Sequence, residues 1–178
     1  MTVYSYLDPE RFVAGTVGPP GQRVFFLQAH DGKRTTNAAL EKEQVRILAE
    51  RLDGMLDLLL RRGVSGPPIP AVADPADRDT DPLFAPVEED FRVAVLRIAW
   101  DGEAERVLIE AASEPAEDDE DELQGEILSV RITGKAARAF VDRAESVVAA
   151  GRPPCPFCTL PLDPEGHICP RSNGYRRR

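Results

Sequence analysis

Between Glu41 and Arg62 the apolar residues recur at intervals of three and four: Val45, Leu48, Leu52, Met55 and Leu59. Glu41, Arg46, Glu50, Arg51, Asp53 and Asp57 fall mainly between them. This period predicts a helix with one buried face, ended by Gly63. Ala136, Phe140, Ala144, Val147 and Val148 give a second helical face. Thr133 is placed to cap that helix and Gly151 to stop it.

The other apolar stretches read as strands. Phe12 to Val17 ends at the turn cluster Gly18-Pro19-Pro20-Gly21. Arg23 to His30 holds the β-formers Val24, Phe25, Phe26 and Leu27 and ends at the hairpin signal Asp31-Gly32. Lys33 to Leu40 is a weaker third strand because of Thr35, Thr36 and Asn37. Phe91 to Trp100 is a strong β stretch, with Ala94, Leu96, Ile98 and Trp100 on one face. Asp101-Gly102 then predicts a turn and Arg106 to Ala111 a return strand. Leu128, Val130 and Ile132 alternate with Ser129 and Arg131 as in a half-buried strand.

The order is three strands and a helix, followed by three strands and a helix. It predicts an α+β fold of antiparallel sheets covered by helices, in two halves that resemble a degenerate duplication. A proline-rich linker near residues 64–90, with Pro67, Pro68, Pro70, Pro75, Pro82 and Pro86, joins the halves and is expected to be extended and partly mobile. Near residues 114–122 lies an acidic loop. The main domain is thus residues 1–150, with a separate module at 151–178.

That module carries the clearest chemistry. All three cysteines of the chain lie in it, as Cys155-Pro156-Phe157-Cys158 and, after eight residues, His167-Ile168-Cys169. This is a Cys3His set suited to tetrahedral zinc, with the C-x2-C pair on one tight turn. Pro161 and Asp163-Pro164-Glu165-Gly166 read as the turn that returns the second pair. A redox C-x-x-C would follow a strand and open a helix, whereas this one follows a helical pattern and lies among prolines. Four protein ligands leave no open position, so the predicted site is structural, not catalytic.

Charge narrows the partners. The net charge of -9 opposes binding to nucleic acid and to anionic membrane. No apolar run approaches the ~20 residues that span a bilayer. The first residues lack an export signal, and with a thiolate-rich site this points to the cytoplasm. The tail is basic, with Arg171, Arg176, Arg177 and Arg178. Phe157 and Tyr175 flank the cysteines and can either pack the loop onto the core or stack on a partner.

No set of residues specifies an enzyme. Gly134-Lys135 has neither the following Ser or Thr nor the earlier Gly of a phosphate loop, and there is no G-x-S-x-G. Asp77, Asp79, Asp81 and Glu88 have the spacing of a calcium loop, but Pro82 stands where the turn requires glycine. His30, at a strand end beside Asp31, reads as an ordinary hydrogen-bonded side chain.

The tail, Cys155-Pro156-Phe157-Cys158 through Gly166-His167-Ile168-Cys169-Pro170-Arg171 and Asn173-Gly174-Tyr175-Arg176, resembles an uncharacterised actinobacterial family. It is catalogued as a domain of unknown function numbered three thousand and ninety. Asp8-Pro9-Glu10-Arg11-Phe12, the strand Arg23 to Ala29 and Glu41-Lys42-Glu43-Gln44 also look like that family. The Thr35 to Ala39 segment is less apolar than the family pattern leads one to expect. The resemblance supplies no activity and no catalytic residues. It implies only a genomic neighbourhood of a phosphomutase-like and a kinase-like protein, hence phosphate-linked metabolism or regulation.

Two readings follow. One is a non-enzymatic adaptor that binds a protein partner through Arg171, Asn173, Tyr175 and Arg176, held by zinc. The other is an enzyme or ligand-binding protein acting on a phosphorylated small molecule in a cleft between the halves. RNA binding through the same tail is a weaker third.

Overall fold

In a computed structural model, residues 1–64, 66–115, 123–151, 155–158 and 169 are described. The helix foreseen from its period runs from Lys42 to Arg62 (α1). It buries Val45, Leu48, Ala49, Leu52, Leu56 and Leu59. Gln44 Oε1 accepts the Glu41 N–H at 2.8 Å, and Gly63 closes the helix in the left-handed conformation at φ 61°. The second helix is Gly134–Ala149 (α2), and Thr133 caps it as foreseen, accepting the Ala136 N–H at 3.1 Å. Its buried face is set by Ala137, Phe140, Val141 and Ala144, with Ala136 exposed.

Among the described residues, eight strands form two four-stranded sheets: β1 Thr2–Leu7, β2 Arg11–Val17, β3 Val24–Asp31, β4 Arg34–Leu40, β5 Phe91–Arg92, β6 Val95–Asp101, β7 Arg106–Pro115 and β8 Leu123–Ile132. One sheet has the order β1-β8-β7-β6 and the other β2-β3-β4-β5. The fold is therefore α+β, and each half is four strands and a helix. In each half the last three strands form an antiparallel meander: β2, β3 and β4, then β6, β7 and β8. The first strand of each half goes to the other half's sheet. Thus β1 pairs in parallel with β8, and β5 in parallel with β4.

Two expectations change here. The sheets are mixed, not wholly antiparallel. A strand arriving from the other half is not joined by a hairpin, so nothing forces its direction to reverse. Phe91 to Trp100 is also not one strand. The Val93 N–H donates to Ala39 O in one sheet, and the Ala94 N–H donates to Ala112 O in the other, both at 2.8 Å. The chain changes sheets between these two residues, and Ala94 is exposed instead of sharing the inward face of Leu96, Ile98 and Trp100.

A single apolar cluster joins both sheets and both helices. Tyr6, Phe12, Leu27, Leu52, Ile109, Leu128 and Phe140 are among its members. The polar residues that weakened β4 are satisfied within it. Thr36 Oγ1 and the fully buried Tyr6 hydroxyl lie 2.8 Å apart, joining β4 to β1. Asn37 Oδ1 accepts from Gln28 Nε2 at 2.7 Å, and the Asn37 N–H donates to Asp90 Oδ2 at 2.7 Å.

The proline-rich segment is extended apart from one 3-10 turn at Pro75–Asp77, and it lies across the protein as a strap. Leu83 enters the outer face of the second sheet with Val13, Phe26 and Ala39, so β2 and β3 are buried on both sides. Gly15 makes room for it: a Cβ there would stand 2.5 Å from Leu83 Cδ2. Gly134 does the same for Ile69, whose Cγ1 would lie 2.6 Å from an added Cβ. The buried Gln28 amide holds the Phe84 backbone on both sides, accepting its N–H at 2.8 Å and donating to its carbonyl at 3.1 Å. The acidic run falls between β7 and β8, which pair as far as Pro115 and Leu123; residues 116–122 lie outside the described part.

Candidate metal centre

Past α2, the described residues are Ala150, Gly151, the turn Cys155–Cys158 and Cys169. The tight turn at Pro156-Phe157-Cys158 brings Cys155 and Cys158 to one side. Cys169, distant in sequence, returns to them. The three Sγ atoms lie within 4.8 Å of one another. Cys155 and Cys169 are buried, Cys158 is half-buried, and none is in a disulfide.

The Cys155–Cys169 Sγ separation is 3.8 Å. Zinc–thiolate bonds of about 2.3 Å in a tetrahedron give an edge of about 3.8 Å, so this spacing fits two sulfurs sharing one metal. The Phe157 N–H points to Cys155 Sγ at 3.5 Å, as backbone amides do toward ligating sulfur. The three cysteines can hold a metal ion. The fourth foreseen ligand, His167, lies outside the described residues, as do Arg171, Asn173, Tyr175 and Arg176. The Phe157 ring is 60% exposed.

A second polar assembly lies at the strap. Asp79 receives Arg11 Nε at 2.6 Å and Nη2 at 2.9 Å on its two oxygens, and Arg143 Nη1 at 2.6 Å. Arg143 also donates to the carbonyls of Ala14, Asp79 and Asp81 at 2.7 to 2.8 Å. Arg11 donates to the carbonyls of Asp81 and Pro82 at 2.8 and 3.0 Å. The hydrogen bonds from Arg11, joined by the charge of Arg143, hold the Asp79 carboxyl below its ordinary range against the opposing push of burial. Burial pulls the Arg143 guanidinium down, and the Asp79 charge counters it.

Beside this clamp is a cleft of about 280 Å³ between β2 of the first half and α2 of the second. Phe12 stacks on Phe140 in its wall at 4.8 Å between ring centroids. Lys135 at its rim has Nζ 2.9 Å from Asp77 Oδ2, close enough for an ion pair although that oxygen takes no well-aligned hydrogen bond. The acidic run that mimics a calcium loop is thus accounted for in part by cationic side chains. The sequence gives one sign of this: acids amid prolines, with arginines far away in the chain. It does not say which arginines meet them.

His30 has the ordinary role foreseen for it. Its Nδ1 and Thr35 Oγ1 lie 2.8 Å apart, Nε2 is 3.7 Å from Glu10, and Phe84 lies against the ring.

Among known proteins, the chain belongs to the family described as protein of unknown function (DUF3090), whose sequence profile matches residues 4–169. No curated protein and no solved structure matches it.

Proposed function

We propose that this is a zinc-binding adaptor without catalytic activity, in which Cys155, Cys158, Cys169 and His167 hold a structural zinc. The metal fixes the start of a recognition surface formed by Arg171, Asn173, Tyr175 and Arg176, whose partner is another protein. The observation that carries the reading is the meeting of three thiols within 4.8 Å from positions fourteen residues apart. Zinc would supply no reaction here: with four protein ligands it has no position left for substrate. No described helix is long and apolar enough to cross a membrane, and a reduced-thiol site suits the cytoplasm.

The reading is tested in two steps. Metal analysis of protein purified without chelator should give about one zinc per chain. Affinity capture from the native host should then give specific proteins that are lost when Arg171, Tyr175 and Arg176 are changed to Ala, with zinc content unchanged. An identical set of captured proteins in the triple variant would rule out the recognition surface.

The rival reading, a phosphorylated small molecule in a cleft between the halves, draws on the cleft beside Arg11, Arg143 and Lys135. It is the weaker one on physical grounds. The guanidinium donors of Arg11 and Arg143 are already committed to Asp79, Asp81 and Pro82. The charged side chains of the lining balance, with Glu10, Asp77 and Asp79 against Arg11, Lys135 and Arg143.

A further inference from the structure

The metal centre contains every thiol of the chain, and its three sulfurs differ in exposure. Cys155 is 3% exposed and Cys169 5%, whereas Cys158 is only partly covered. Three thiolates and a neutral imidazole on Zn(II) leave a net charge of about -1, so the sulfurs stay electron-rich and open to electrophiles. Its greater exposure makes Cys158 the member of the C-x2-C pair that a dissolved electrophile reaches first.

We propose that this centre is a peroxide-sensitive switch: Cys158 is oxidised first, a buried neighbour closes a disulfide onto it, and the metal is released. The proposal rests on the zinc reading above and assigns regulation to the same site. The oxidant is hydrogen peroxide. The Cys158 sulfur attacks one peroxide oxygen; an S–O bond forms as the O–O bond breaks, and the second oxygen leaves with a proton as water. Cys158 is then a sulfenic acid, oxidised by two electrons. Cys155 or Cys169 attacks that sulfur, the S–S bond forms, the S–O bond breaks, and the departing oxygen leaves as a second water.

Geometry favours the second step. A disulfide needs about 2.05 Å between sulfurs. All three Sγ atoms start within 4.8 Å, so a side-chain rotation covers the remaining gap. A resolving thiol this close intercepts the sulfenic acid before further oxidation to the irreversible sulfinic state. The disulfide removes two ligands and their charges, and zinc is not retained on one thiolate and one imidazole.

The test uses the full chain. Zinc content and free thiols are measured on protein purified under reducing, oxygen-free conditions, and hydrogen peroxide is then titrated in. The expected result is release of about one zinc for every two thiols lost, with a disulfide containing Cys158 in the peptide map. Dithiothreitol with added zinc should restore both. Protein that lacks metal while its thiols are reduced overturns the zinc reading and the switch together. Protein that holds zinc but keeps it under peroxide, or releases it with Cys158 as sulfinic acid or as the one free thiol, overturns the switch alone.

Discussion

Arg143 on α2 and Asp79 on the strap meet at 2.6 Å, between residues sixty-four positions apart. The guanidinium is buried and its other donors bind backbone carbonyls of β2 and the strap. One helix side chain thus joins the first half, the second half and the segment between them. The second cation, Arg11, is bidentate on the same carboxylate, so Asp79 is the centre of the clamp.

Removing Asp79 should therefore leave two poorly solvated cations without a counter-charge. Breaking a wholly buried pair costs about 3–5 kcal/mol, and the partial exposure of Asp79 reduces this. Asp79→Ala should lower the unfolding free energy by about 2–3 kcal/mol. Urea unfolding measures it. A change below about 0.5 kcal/mol would mean that the carbonyl bonds alone hold the arginines.

The same carboxylate makes stability depend on pH. Its folded pKa lies below the unfolded value, so between the two the unfolded chain binds more protons and stability rises with pH. The contribution is fully present above the ordinary carboxylate value of about 3.9 and is lost as pH falls through the folded value. Wild type should lose its advantage over Asp79→Asn as pH is lowered from neutral into that acidic window. Melting temperatures of the two proteins across the range give the result; parallel curves would refute the assignment.

Gly15 and Leu83 should behave as a pair. An added methyl at Gly15 would meet Leu83 Cδ2 at 2.5 Å. Gly15→Ala alone should cost about 1–3 kcal/mol by overpacking, and Leu83→Ala alone about 2–3 kcal/mol by leaving a cavity. In the Leu83→Ala background the methyl has space. The cost of Gly15→Ala should then fall by about 1 kcal/mol or more. Additive costs would show that the strap shifts away from Gly15 without difficulty.

Local signals in the sequence were enough for both helices, the caps at Thr133 and Gly63, and the two meanders, because period and turn chemistry act over a few residues. The first strand carries such a signal too, outside the strands predicted from the sequence: Tyr4 and Tyr6 alternate inward along Thr2–Leu7, and Tyr6 is fully buried. The exchange of β1 and β5 between sheets was not readable. It depends on which partner a strand finds across fifty residues or more, as when Phe91 lies opposite Ala38 and Tyr4 opposite Leu128. The strap was similarly hidden. Proline richness indicates extension, but Leu83 over Gly15 and Asp79 between Arg11 and Arg143 are matches that no local pattern contains. At the candidate metal centre the spacing of cysteines carries the signal, and the structure brings together the three that it describes.

The main fold should survive loss of the metal centre. The large apolar cluster draws its members from Tyr6 through Ala144, and none of the cysteines belongs to it. The contact between α1 and α2 and the packing of α2 on β2 also lie wholly before Gly151. Changing Cys155 and Cys158 to Ser removes half of the proposed ligand set, and zinc should be lost, together with roughly 10 kcal/mol or more of metal binding that orders such loops. That energy should belong to the module and not to the core. The double variant should accordingly still unfold in one cooperative transition, with a midpoint within about 2–4 °C of wild type, the shift that 1 kcal/mol produces in a domain of this size. Calorimetry with zinc analysis on the same sample decides it. A broad transition, or none, in the zinc-free variant would make the centre part of the main core and not a module attached to it.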